Sequence, residues 1–353
     1  MNFSLIQKRR EGDLYELSRN VTPKDIIKLS SIADIGCIQI GYPITNELVW
    51  KALESEIFKK RSNIELRIYD SMIHYDSYKE RLLKPYFNFS FFQYIPSVKN
   101  LNIEVINCQN ENDIANLTKL EILKFKVFLL ESFNFFSSCS FQIKRLSLGK
   151  TKSKKPSLTF LSSFKSLEYF KNVGHKKNIE CISKLNNLTE LMIQEVPEHD
   201  INYLKSLENL VDISFWRGGT KHFKILSEIP TIKMLSLGAI NKLNDIRFIS
   251  EMINLEKLHL RDLPHISEVP DLKKNITLKK ITLDSLKGLE NIDEIKYVEN
   301  LEEFNCTVTS DMEVQSFEPI LRNKNLKSIN VGFYGKSHTN KNIEFKKLLI
   351  KHD

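Results

Sequence analysis

Apolar residues recur along this chain in the form L-x-x-L-x-L. Clear copies are Leu188-Leu191-Ile193, Leu210-Ile213-Phe215, Ile232-Leu235-Leu237, Leu255-Leu258-Leu260 and Leu278-Ile281-Leu283. Weaker copies begin at Val98, Leu120, Ile143, Leu167, Leu301 and Leu326. First positions lie 21 to 25 residues apart over eleven units, a spacing too regular for chance. Alternation in L-x-L predicts a short strand with both apolar residues on one face. Apolar residues three apart lead into the units, as in Ile182-Leu185-Leu188, Leu204-Leu207-Leu210, Leu226-Ile229-Ile232 and Ile249-Met252-Leu255. That spacing predicts a short 3₁₀ or α turn. One unit of strand, loop and turn cannot bury its apolar side alone, whereas stacked units bury a continuous one.

This pattern resembles that of leucine-rich-repeat proteins, specifically the short-period, internalin-like bacterial class, over Val98 to Leu349. Stretches such as Gly149-Lys150-Thr151-Lys152-Ser153-Lys154 and Gly218-Gly219-Thr220 also resemble those of uncharacterised cytosolic bacterial proteins. The resemblance implies an α/β repeat solenoid, an arc with a parallel concave sheet and short helical or 3₁₀ turns on its convex side. One position departs from the family pattern. Where the family carries a loop asparagine, this chain has Ile106, Phe128, Thr151, His175, Val196, Gly218, Ile240, Leu263, Leu286, Thr309 and Tyr334. Apolar packing is expected to replace the asparagine ladder there.

Three regions follow. Residues 1–97 read as irregular N-terminal repeats and a cap with longer helices. Residues 98–340 hold about eleven repeats, and 341–353 close the end through Phe345, Leu348, Leu349 and Ile350. Near the start, Ile35-Ile38-Ile40 and Leu66-Ile68 read as strands. Between them, Asn46 to Arg61 reads as an amphipathic helix with Leu48, Trp50, Leu53, Ile57 and Phe58 apolar and Asn46 as its cap. The aromatic stretch Tyr86, Phe87, Phe89, Phe91, Phe92 and Tyr94 reads as core.

Net charge is +8 with a pI near 9.0. Residues 141–181 hold ten Lys or Arg against two acids, which equals the whole surplus. A concentrated surplus favours an acidic partner. Five widely spaced cysteines, at 37, 108, 139, 181 and 306, lack zinc spacing and read as thiols used as small hydrophobes in a reducing compartment. No apolar run approaches the ~20 residues that span a bilayer. The first ten residues show no secretory apolar core. The expectation is a cytoplasmic, monomeric protein without a membrane segment.

Residues flanking the inward pair of each strand point outward onto the expected concave face. Tyr169, Met192, Trp216 and Met234 fall there on consecutive strands and are candidate anchors for a protein partner. Lys124, Lys126, Arg145 and Lys171 would steer an acidic partner, and Lys257, His259 and Arg261, beside Lys280, form a cationic patch. At the strand exits, Lys152, Lys154, His175 and Lys176 with Gly218 and Gly219 are a candidate anion site. No catalytic motif, cofactor motif or metal-ligand spacing occurs, and His199–Asp200 and His352–Asp353 are isolated pairs. The sequence reads as a non-enzymatic protein-interaction module, with an inhibitor or immunity protein as one specific form. The alternative is nucleic-acid or phosphate binding through the basic 141–181 edge.

Overall fold

The computed structural model describes residues 5–8, 13–70, 87–140, 142–218, 220, 222–335 and 338–352. The chain divides into two compact units, Met1–Asn187 and Leu188–Asp353.

In the first unit the strands are β1 (Ile6–Lys8), β2 (Leu14–Leu17), β3 (Cys37–Ile40), β4 (Glu65–Tyr69), β5 (Phe87–Asn88), β6 (Asn100–Val105), β7 (Cys108–Gln109), β8 (Ile122–Val127), β9 (Arg145–Leu148) and β10 (Tyr169–Val173). β5 and β7 form a small separate pair. β1 runs antiparallel to β2, and every later strand of the main sheet is parallel to its neighbour. One register row runs Leu14, Cys37, Glu65, Asn100, Ile122, Arg145, Tyr169. The N-terminal strands are therefore coils of the same sheet. No compact-unit boundary falls at 97–98; the division lies at 187–188, inside the repeats.

The N-terminal coils return through helices. Pro23–Ser30 starts with a capping box in which Thr22 and Asp25 each satisfy the other's backbone N–H. Glu47–Leu53 is capped by Asn46, whose side chain accepts from Leu48 N–H, and it continues into a π turn at Glu54–Phe58. Trp50, Leu53, Ile57 and Phe58 are buried as expected, but Leu48 is 55 % exposed. Val49 takes the inward position instead. Trp50 stacks on Phe91 at 3.8 Å, and its indole N–H donates to Ile44 O. Phe87, Phe89 and Phe92 join that core; Tyr86 lies outside the described residues.

The second unit contains β11 (Glu190–Gln194), β12 (Asp212–Trp216), β13 (Met234–Gly238), β14 (Lys257–Arg261), β15 (Lys280–Asp284), β16 (Glu303–Val308) and β17 (Ser328–Phe333), parallel and in chain order. The inward residues Leu191, Ile193, Ile213, Phe215, Leu235, Leu237, Leu258, Leu260, Ile281, Leu283, Phe304 and Cys306 are all buried. Each fully buried aliphatic side chain contributes roughly 1.5–3 kcal/mol. The helix His338–His352 closes this unit, with Phe345 against Phe317 and Phe333 at 5.8 and 6.3 Å.

The three-residue spacing has a backbone cause. Leu204 N–H donates to Ile201 O, Leu207 to Leu204, and Leu210 to Leu207. The same chain of bonds runs through Phe223, Leu226, Ile229 and Ile232, and through Ile246, Ile249, Met252 and Leu255. Each buried residue thus satisfies its own amide beneath its side chain, as a buried backbone requires. Asparagine does tie coil to coil, but at a different place from the family pattern. Asn254 donates to Pro230 O, Asn300 to Ile276 O and Asn325 to Glu299 O, each from the position just before a repeat's first leucine. In the first unit Asn187 does the same to Lys165 O. Most of the positions that lost the family asparagine are buried, as expected, including Ile106, Val196, Ile240, Leu263 and Leu286; Tyr334 is exposed.

The chain leaves strands β11 to β15 through left-handed residues: Glu195, Arg217, Ala239, Asp262 and Ser285, with φ between 48 and 58°. Their N–H groups donate to Trp216, Gly238, Arg261, Asp284 and Thr307 O, one coil ahead. This ladder holds non-glycine residues where L-amino acids cost about 1–2 kcal/mol. Ala239→Gly should therefore leave stability unchanged or raise it by up to about 1 kcal/mol, while Ala239→Val should lower it by at least about 1 kcal/mol. Urea midpoints of the two variants check this, and equal midpoints would contradict it.

Candidate binding face

The second unit brings three of the expected anchors onto one side of a single hydrogen-bonded sheet. They occupy three different rows. The first row runs Glu190, Asp212, Met234, Lys257, Lys280. The second runs Met192, Ser214, Ser236, His259, Thr282, and the third Gln194, Trp216, Gly238, Arg261, Asp284. Trp216 does not stand upright. Its ring lies across Gly238, where a Cβ would come within 2.0 Å of the indole, and it meets His259 edge-on at 5.7 Å. On β13 the order along the strand is therefore Met234, Ser236, then the indole over Gly238. Ser214 and Ser236 form a low floor between Met234 and the indole, with Met192 at one end and His259 at the other.

Four of the expected cations already have acidic partners. Lys124 pairs with Glu65 at 2.9 Å and Lys126 with Glu104 at 2.6 Å. Arg261 sits 3.2 Å from Asp284, and Lys280 pairs with Glu303 at 2.7 Å. Arg145 lies 4.2 Å over the Tyr169 ring, so both belong to one cation–π contact in the first unit. Lys171 faces outward on the same strand as Tyr169, half-exposed. Lys257 is exposed on the second unit's face. Burial keeps His259 below its ordinary value, with Arg261 and Lys280 adding repulsion against the pull of Asp284. Burial raises Asp212, and the neighbouring Glu190 raises it further, against the opposing pull of Lys257.

The strand-exit candidates divide differently. Lys152, Lys154 and Lys176 are exposed. His175 is not beside them on the surface, because it is 3 % exposed and packs edge-on against Phe133. Its Nε2 lies 2.9 Å from Gly149 O. Buried Asn172, which occupies the third apolar position of its repeat, holds the loop by donating to His175 O and accepting from His175 N–H. His175 is thus a structural group, and the sequence pattern hid it because both residues replace expected types. Gly218 belongs to the second unit, at φ 143° against Val196 O, and Gly219 lies outside the described residues.

A groove of about 1180 Å³ runs along the exit side of the second unit past His222, Lys224, Asp245, Arg247 and His265. Arg247 is bound to Asp245 through two nitrogens, and that guanidinium draws the carboxyl down to about 2. His199 is held by Pro197 O and Tyr203 OH. Among the described residues no cluster of His, Cys, Asp and Glu could hold a metal ion, and no helix is long and apolar enough to cross a membrane. Burial pushes the Cys37, Cys108, Cys139 and Cys306 thiols up to about 12, which suits packing rather than reactivity.

Parallel strands one per coil, an inward L-x-L pair and short 3₁₀ returns on most of the repeats together decide the architecture. The coils have the architecture of leucine-rich repeats. No family model and no curated protein matches the chain. Solved structures do. Internalin InlF of Listeria monocytogenes is 16% identical, with a TM-score of 0.48, over 94% of this chain and 88% of that one. A leucine-rich-repeat protein of Leptospira interrogans is 15% identical, with a TM-score of 0.45, over 94% and 91%. The plant peptide hormone receptor RGFR1, solved with the peptide RGF2, is 12% identical, with a TM-score of 0.45, over 94% and 60%. Likenesses of this size say nothing of a shared partner.

Burial sets the sign of one pH effect. The folded state holds His175 below its ordinary value of 6.5, so the neutral form is favoured on folding. The stabilisation is complete above about pH 6.5 and is lost as pH falls below it. The thermal midpoint should drop between pH 7.5 and 5, and the drop should be smaller in His175→Gln. An identical pH slope in the two proteins would contradict this placement.

Proposed function

We propose that this leucine-rich-repeat protein is a non-enzymatic interaction module. It binds a protein partner on the outward face of its sheet in the second unit. The observation that carries the reading is the placement of Met192, Trp216 and Met234 on three hydrogen-bonded strands, all on that face. Large, half-exposed apolar side chains on a rigid sheet supply contact area with little ordering cost. The rigid setting is suited to an inhibitor or immunity protein that occludes its target. Within the second unit Lys257, His259 and Arg261 would border the contact; Tyr169, Lys124, Lys126, Arg145 and Lys171 are the separate partner-binding candidates of the first unit.

The basic 141–181 stretch supports a second reading, nucleic-acid or phosphate binding through Lys152, Lys154 and Lys176. Exposed lysines would make that binding fall steeply with salt.

Tagged protein is recovered from lysate of the cells that encode it, with and without nuclease, beside a Trp216→Ala copy. The expected result is a nuclease-resistant protein partner whose recovery falls at least about tenfold with Trp216→Ala, since interface aromatics of this kind contribute about 2 kcal/mol or more. Recovery of nucleic acid alone, unchanged by Trp216→Ala and abolished by Lys152→Glu with Lys154→Glu, would transfer the function to the basic stretch.

A further inference from the structure

The charges beside the anchors indicate what the face accepts, and this step rests on the binding face proposed above. Among the strands of the second unit only β14 presents three basic residues outward, Lys257, His259 and Arg261. Its neighbour β13 presents Met234, Ser236 and Gly238, with no charge, and β15 presents Lys280, Thr282 and Asp284. Arg261 is matched by Asp284 through Nε, and Lys280 by Glu303. Lys257 is different. Asp212, Glu256 and Glu303 attract it through space, yet among the described residues it closes an ion pair with none of them. Its register neighbours are Met234 on one side and Lys280 on the other. Two cations in direct register repel each other, whereas a sheet gains from opposite charges there. The charge left open beside Met234 is therefore positive.

His259 adds a donor next to it. Its imidazole is half-buried and meets the indole of Trp216 edge-on, and neither ring nitrogen has a hydrogen-bond partner among the described residues. Lys257 and Arg261 flank it on its own strand, and Lys280 and Asp284 face it from β15. On the other side stand the uncharged Ser236 and Trp216. Burial, with Arg261 and Lys280, favours the neutral ring against the pull of Asp284. A carboxylate set above His259 reverses that balance. It accepts from Lys257 Nζ and from a ring N–H, and it favours the imidazolium. Asp212 does not oppose it closely, being two strands away across uncharged β13, roughly 10 Å from Lys257. One open cation and one imidazole match a single negative charge. A phosphate dianion would meet Asp284 and Glu303 without a second open cation to offset them.

We infer that the Lys257–His259 edge of the face receives an aspartate or glutamate side chain of the protein partner, held by Lys257 Nζ and the His259 ring. The same partner segment carries an apolar residue beside that acid, set on Trp216 and Met234, whose thioether adapts to its shape. Binding takes up a proton at His259, so the complex tightens as pH falls. On this account the unmatched lysine is kept for binding and not for stability.

A library of short linear displayed peptides is the probe, selected on the wild-type protein at about pH 6. Selected peptides are made with amidated and with free C-termini. They are measured on the wild type, on Trp216→Ala, on His259→Gln and on the double variant Lys257→Gln, His259→Gln. Both positions face outward and make no hydrogen bond among the described residues, so the urea midpoint of the double variant should match that of the wild type. The expected outcome is enrichment of Asp or Glu next to an apolar residue, with affinity falling about tenfold or more in the double variant and also in Trp216→Ala. Wild-type binding should be about threefold or more tighter at about pH 6 than at pH 8, and that slope should vanish in His259→Gln. Four results would overturn this inference and leave the binding face standing. They are Trp216-dependent peptides that are basic or neutral, equal binding to the double variant and the wild type, the same pH slope in His259→Gln and the wild type, and binding that requires a free C-terminus. Absence of any Trp216-dependent peptide would overturn both.

Discussion

Backbone pairing between successive coils is the constraint on which everything else in this chain depends. A single coil has about twenty-odd residues and one apolar side, and alone it can neither bury that side nor satisfy its amides. In each unit the neighbouring coil does both. The parallel ladder places Leu258 and Leu260 of β14 beside Leu235 and Leu237 of β13, and the outward residues fall into rows as a consequence. A slip of one residue would exchange inward and outward sets. Leucine at three positions per coil, the 3₁₀ run of i to i−3 bonds, and the left-handed exit residue all serve that register. Each fixes one corner of the coil, so each coil arrives at the next strand in phase.

The repeat itself was legible because the periods of two and three are written in residue type. Leu204, Leu207, Leu210, Ile213 and Phe215 announce their coil without help. The N-terminal coils read only as irregular repeats and a cap, because helices between β2, β3 and β4 stretch the spacing and mask the period. The asparagine ties stand in the sequence as Asn-Leu pairs at 187–188, 254–255, 300–301 and 325–326, away from the loop position where the family carries its asparagine. The left-handed exits could not be read at all. Glutamate, arginine, alanine, aspartate and serine share no signature, and the conformation is imposed by the ladder bond one coil ahead.

The candidate site was legible in its apolar members and misleading in its charges. Met192, Trp216 and Met234 follow from outward positions in L-x-L. Whether a lysine is matched depends on residues one or two coils away. Lys124 meets Glu65 across 59 residues of sequence, with strand β6 between their strands. Net charge, a sum over the whole surface, does not show which cations of a face are already matched, as Arg261 is by Asp284 and Lys280 by Glu303. Gly238 shows the same limit on packing. In sequence it is a repeat position without a side chain; in the structure it is the shelf on which Trp216 lies.

Oxidative footprinting read residue by residue tests the register and the face together, because methionine and tryptophan respond strongly and the chain carries both inside and outside. Trp50, Met252 and Met312 are 2 to 5 % exposed and serve as internal references. The account predicts rapid hydroxyl-radical modification of Met192, Met234 and Trp216, with those three references protected. Protection of Met192, Met234 and Trp216 equal to that of Met252 and Trp50 in the isolated protein would contradict it, since the open face would then not be the one the coils build.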